Sequence, residues 1–239
     1  MGNISVALDP EKRSAWHAQL LEMDGLKGIY EDPEAAYCPI SLTSTPPALR
    51  PHIQGRQEAL KSHVLAPAGI TGYDPAQAPF SPDRDLTTGT RRVYTVDSGK
   101  IAGARFFVGH NILPSTGFGV ELEKAARYNK MGVILMDRGI RVSRMQPHRM
   151  IYLQYNFFAE ECERFGPVME LLQDYDPGMG FNGDIPCLLG FPKSGGPPID
   201  LEEMVYDQFP ELQYQFDGKV PILELRAENP GLFYENRST

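Results

Sequence analysis

The sequence predicts an α/β fold, a mainly parallel sheet flanked by helices, and two observations predict it. The first is the stretch Arg105 to Asp137. It opens with the apolar run Phe106 to Val108, continuing to Ile112 and Leu113, and closes with a second apolar run, Met131 to Met136. Between them lie a glycine-punctuated turn, Pro114 to Gly119, and a helix pattern from Val120 to Asn129. Strand, crossover helix and strand within about thirty residues make a βαβ unit of a buried parallel sheet. The second observation is that candidate strands and helices alternate along most of the chain, as layered α/β folds require.

In chain order, Asp9-Pro10 supplies an N-cap and a first-turn proline for a short helix carrying Ala15, Leu20, Leu21 and Met23. Glu31 to Glu34 reads as an acidic link. Ala36 to Thr43 reads as the first strand, Ala48 to Ser62 as a helix and His63 to Ala66 as a weaker strand. The segment Pro67 to Thr88, rich in Pro, Gly and Asp, is long for a loop and reads either as a lid or as a mobile excursion; Tyr73 and Asp74 lie in it. Thr90 to Ala104 is helical in pattern. Ile151 to Phe158 reads as a strand, Ala159 to Tyr175 as a helix, Asp176 to Pro198 as loop, Ile199 to Phe209 as a helix and Val220 to Arg226 as a strand. The expected division is an N-terminal helical extension over 1–35, an α/β core over 36–158, and C-terminal helices and strand over 159–239.

Composition narrows the classes of function. With 239 residues, 41% of them hydrophobic, the chain can bury a substantial core. A formal charge of -8 argues against a nucleic-acid-binding face and leaves room only for a local cationic pocket. The three cysteines, Cys38, Cys162 and Cys187, lack zinc spacing and suggest reduced thiols in a cytoplasmic protein. No apolar run is long enough to span a membrane, and Val6 departs from the myristoylation pattern that Gly2 begins. No metal and no cofactor is expected, since histidines and carboxylates show no ligand spacing.

Chemistry concentrates at the turn of the βαβ unit, which belongs at the carboxyl edge of the sheet where open α/β folds bind ligands. Glu121 is expected in the first turn of the following helix, near the positive end of its dipole, with Gly117 and Gly119 letting a ligand approach. Asp97 shares a helical face with Val93 and Ile101, so it either faces a ligand or bonds a neighbouring turn. Two such acids suit cleavage of a glycosidic bond. His110 ends the central strand as either a structural residue or a contact to a base or phosphate, and Arg141 to Arg144, with Ser143, reads as a solvated loop or an anion contact.

Tyr94 to Met136 resembles the core of the nucleoside 2-deoxyribosyltransferase family, and more closely its branch of 2'-deoxynucleoside 5'-monophosphate N-glycosidases. The residues that carry the likeness are Asp97, Ile101, Phe106-Phe107-Val108, Gly117-Phe118-Gly119-Val120-Glu121-Leu122, Ala125-Ala126 and Gly132 to Leu135. The resemblance implies a Rossmann-like (flavodoxin-like) fold with N- and C-terminal additions, Glu121 as a nucleophile toward C1', and Asp97 as its acidic partner. Ser115 stands where the transferases usually carry an aspartate that holds a free 5'-hydroxyl, which points to a 5'-monophosphate substrate. Arg141-Val142-Ser143 resembles an element in which an adjacent subunit supplies a serine, so a homodimer or larger assembly is implied. The chain departs from the family after its first strand, where Tyr37-Cys38-Pro39-Ile40-Ser41 has no glycine; Ser41, Thr43, Ser44 and Thr45 are the hydroxyls available there, and they equally suit bonds to their own backbone. A base-exchanging transferase and a non-catalytic nucleotide-binding or signalling module are the alternatives.

Overall fold

The structure, a computed structural model, describes residues 3–40, 45, 47–77, 87–111, 115–137, 147, 149–156 and 158–215. The chain begins with β1 (Ile4–Leu8) and α1 (Pro10–Met23), then enters β2 (Asp32–Tyr37), α2 (Arg50–Ala59) and β3 (Thr71–Tyr73). There follow α3 (Thr90–Gly103), β4 (Ala104–Asn111), α4 (Thr116–Arg127), β5 (Met131–Asp137) and β6 (Ile151–Tyr155). The last described part holds α5 (Phe158–Glu161), α6 (Gly166–Leu172), β7 (Tyr175–Asn182), β8 (Ile185–Pro192), β9 (Ile199–Asp200) and α7 (Leu201–Gln208). None of the described helices is long and apolar enough to cross a membrane.

Five strands form one sheet in the order β3-β2-β4-β5-β6, and every adjacent pair is parallel. The fold is thus Rossmann-like α/β. Counted within this sheet the order is 2-1-3-4-5, the flavodoxin-like arrangement, whose switch point lies between the first and third strands, here β2 and β4. Strands β4 and β5 are buried along their whole length, so both faces are apolar and both are covered. On one face Phe106, Val108, Val133, Leu135 and Leu153 pack with Leu60, Val64, Phe158, Phe165 and Leu201. On the other, Phe107, Ile134 and Met136 pack with Leu20 and Leu21 of α1, Ile101 of α3, and Phe118, Leu122, Ala125 and Ala126 of α4.

The N- and C-terminal additions meet in a second sheet, antiparallel, in the order β1-β7-β8-β9. Neither β1 nor the β7–β8 hairpin is legible in the sequence, which reads the N-terminus as helix and 176–198 as loop. Glycines obscure the alternation: a Cβ at Gly180 would collide with the Ser5 carbonyl of β1, and Gly183 turns the hairpin at φ +63.

Other boundaries shift for local reasons. His63 to Ala66 is no strand. Residues Leu60–Leu65 continue α2 as a π-helical turn, with Ala66 N–H bonded to Lys61 C=O and Leu60, Val64 and Leu65 buried together. The strand expected there lies further along the chain, as β3, inside the segment read as a long loop. The acidic link is the first half of β2, and α7 is preceded by the two residues of β9. The expected strand at Val220 to Arg226, and residues 78–86 of the long loop, lie outside the described residues.

A buried ionic knot ties α1 to the large sheet. Lys130, wholly buried before β5, bonds Glu31 at 2.6 Å and the Ala102 carbonyl at 2.7 Å, while Arg13 of α1 reaches the same Glu31 carboxylate at 2.6 Å. Burial alone would raise the Glu31 pKa, but the Lys130 and Arg13 charges outweigh it and hold the carboxyl at about 2. Lys130, with no water to solvate it, is held down at about 8 by its burial despite Glu31.

Candidate active site

The site forms where the switch point opens at the carboxyl edge of the sheet. Helix α4 starts at Thr116, four residues earlier than the pattern suggests, because the Ser115 hydroxyl caps it by accepting the Phe118 N–H at 3.0 Å. Gly117 and Gly119 are therefore helical, and a Cβ at either would meet open space. Glu121 accordingly sits in the second turn rather than the first, so the helix dipole is not what acts on it. The apolar stripe Phe118, Leu122, Ala125 and Ala126 turns α4 onto the sheet and carries Glu121 inward with it. Close seating of this helix depends on Gly109, where a Cβ would stand 2.7 Å from Pro39 Cγ and 3.0 Å from the Phe118 ring.

Tyr37, the last residue of β2, donates its hydroxyl hydrogen to Glu121 Oε1 at 2.8 Å. The phenol is fully buried and fixed by stacking on Phe107 at 5.9 Å and on Tyr73 at 5.7 Å, so the carboxyl it holds is fixed in turn. Asp97 joins them from α3. It lies on the buried face of that helix with Ser98, Ile101 and Ala102, and its Oδ1 has no hydrogen-bond partner. Oδ1 thus forms no bond to a neighbouring turn.

The electrostatics bind these four side chains into one site. Burial pushes the Glu121 pKa up to about 8; the Tyr37 hydrogen bond opposes the rise and the Asp97 charge adds to it. Burial pushes Asp97 up to about 6. Tyr73 is raised to about 12, first by burial and then by Asp97, Asp74 and Glu121, and Tyr37 is raised further by burial, Glu121 and Asp97. Two carboxyls within each other's field, with no cation contributing to either shift, carry one proton between them from about pH 6 to about pH 8. Such an acid pair suits a centre where positive charge develops.

Not every residue singled out in the sequence comes to this place. His110 points to the opposite face of the sheet, by the alternation of β4, and packs edge-on against Phe158 at 4.3 Å and near Tyr155 at 6.0 Å. Burial and then the Arg56 charge hold its pKa down at about 3, so it is neutral. Asp74 is engaged in its own turn, accepting the Ala76 N–H at 2.8 Å. Ser41 and Ser143, with Thr43, Ser44 and Arg141 to Arg144, lie outside the described residues. Among the described residues no group of His, Cys, Asp and Glu could hold a metal ion.

Tyr37 and Tyr73 are the members that sequence reasoning left without a role in the acid site. The signal available was their position: each is an aromatic residue at the carboxyl end of a strand. A hollow of about 820 Å3 adjoins the site at Tyr73, walled by residues of β2, β3 and α3; its lining includes Lys100 but neither acid. No protein-family model matches the chain, and no curated protein matches it significantly.

Proposed function

We propose that the protein is an N-glycosidase that hydrolyses the bond between base and sugar in a nucleoside 5'-monophosphate, with Glu121 as nucleophile and Asp97 as acid. The observation that carries this reading is the convergence of Glu121 and Asp97, from two separate helices, within each other's electrostatic reach, with Tyr37 bonded to Glu121 and Tyr73 in the field of both.

The single proton shared by the pair is the number the chemistry requires. Ionised Glu121 attacks C1', the bond from C1' to the base nitrogen breaks, and Asp97 gives its proton to the departing base. Water then attacks C1', Asp97 takes a proton from it, and Glu121 leaves as the carboxylate. At rest the proton sits on Glu121, whose pKa of about 8 exceeds the about 6 of Asp97, so the attacking form has that proton moved to Asp97; the Tyr37 hydrogen bond, which lowers the Glu121 pKa, favours that form. Positive charge on the sugar ring in the transition state faces both acids.

In this reading the phosphate sits at the N-terminus of α4. Ser115 caps α4 six residues before Glu121, on the same helix. There the first-turn N–H groups and the open space beside Gly117 and Gly119 receive an anion that the acid pair would repel. The reading places the protein in the cytoplasm, in keeping with its three free thiols, and as a homodimer whose second copy supplies Ser143.

The test is incubation of the purified protein with a panel of nucleoside monophosphates and detection of free base, with Glu121→Ala as the control. Release by the wild type and loss in the variant are expected. Base exchange upon adding a second free base would identify a deoxyribosyltransferase, and binding without release would identify a nucleotide-binding module.

A further inference from the structure

Lys124 is an unusual residue for its place. It lies one turn beyond Glu121 on α4, is only 7% exposed, and among the described residues forms no ion pair. Its ammonium instead stands 4.1 Å from the ring centroid of Tyr94 on α3 and 5.9 Å from that of Tyr128. Tyr128 is itself anchored, donating to Asp24 Oδ2 at 2.6 Å. Tyr94 lies one turn before Asp97 on α3. Both helices start at the carboxyl edge of the sheet and run side by side, so this contact crosses between them near the level of the two acids.

We propose that Lys124 and Tyr94 are positioning residues, a cation–π staple between α4 and α3 that sets the separation of Glu121 and Asp97. The inference rests on the glycosidase reading for its effect on rate, but not for its effect on the acids. Among the described residues the ammonium's neighbours are the Tyr94 and Tyr128 rings, so the contact resists parting of the helices. The groups that face Glu121 are Tyr37 from β2, Tyr73 from β3 and Asp97 from α3. Tyr37 is held by stacking in the sheet, so the separation of Asp97 from Glu121 is set by how α3 packs against α4. Parting the helices weakens the Asp97 field and admits water, and both effects return Glu121 toward the ordinary carboxylate range.

The experiment compares Tyr94→Phe, which keeps the aromatic face, with Tyr94→Leu and Lys124→Met, which remove one side of the contact, and Lys124→Arg, which retains the cation. Each full-length variant is checked for folding by thermal unfolding. Carboxyl titration is followed by infrared difference spectroscopy, and kcat and KM are measured for base release. Tyr94→Phe and Lys124→Arg should resemble wild type. Tyr94→Leu and Lys124→Met should titrate Glu121 at lower pH and lower kcat roughly tenfold while KM changes less than about twofold. Equal titration and equal kcat in Tyr94→Leu and Tyr94→Phe would overturn the staple, as would a loss in Tyr94→Phe as large as in Tyr94→Leu. If the wild type releases no base, the glycosidase reading fails alone, and the titrations still decide the staple.

Discussion

Tyr37 and Glu121 stand 84 positions apart in the chain and are joined by a hydrogen bond of 2.8 Å across the switch point of the parallel sheet. One comes from the strand that opens the sheet and the other from the helix after its central strand. Their bond fixes which oxygen of the carboxyl is held and leaves the other without that donor.

Tyr37→Phe keeps the stacked ring and removes that hydrogen bond. Since the bond lowers the pKa of Glu121, its loss raises it, and the upper limb of the pH–rate profile should move to higher pH. For the wild type, kcat/KM should be bell-shaped with limbs near 6 and 8, the range in which the pair holds one proton. The variant should lose roughly tenfold to a hundredfold in kcat, the scale of a hydrogen bond to a charged group. Steady-state assays of base release between about pH 5 and about pH 9 check both, and an unmoved upper limb would count against the role of Tyr37.

Glu121→Gln should separate function from stability. A carboxyl whose pKa is raised in the folded protein contributes stability that is fully present below its unfolded value of 4.5 and is lost as pH rises toward about 8. Asp97 behaves likewise between 3.8 and about 6. Glutamine keeps an acceptor for Tyr37 and cannot ionise. Base release should disappear, while Tm at pH 8 rises by roughly 2–4 °C for each kcal/mol relieved and Tm at pH 4 hardly changes. Calorimetry at the two pH values makes the comparison.

Ser115→Asp tests where the phosphate sits without disturbing the helix, because Asp caps an N-terminus as well as Ser. The added carboxylate repels a 5'-phosphate but not a free nucleoside. The ratio of kcat/KM for monophosphate over nucleoside should fall at least about tenfold, equivalent to about 1.4 kcal/mol. An unchanged ratio would move the phosphate site elsewhere.

Glu31→Gln should destabilise the fold strongly by leaving the Lys130 ammonium buried without its counter-charge, at a cost of about 3–5 kcal/mol. Lys130→Met should cost less, since Glu31, partly exposed, keeps Arg13 at 2.6 Å. Because Glu31 is held below its usual value, its contribution is present above 4.5 and fades as pH falls toward about 2. Denaturant titrations at about pH 7 and about pH 3 should show the wild-type advantage over Glu31→Gln shrinking in acid.

The sequence by itself determined the βαβ unit, the α/β class, and the two acids as the residues to examine. Those signals are local: apolar runs such as Met131 to Met136, the helical spacing of Asp97 and Ile101, and the glycine-punctuated turn before Glu121. Only the tertiary structure decided that Tyr37 and Tyr73 complete the site, that His110 faces the other way, and that 4–8 and 175–192 pair as one sheet. Strand pairing and side-chain convergence are contacts between distant segments. The register that unites them is set by packing of the whole sheet: a one-residue slip of β4 would carry His110 to the acid face, and one of β2 would carry Tyr37 away from it.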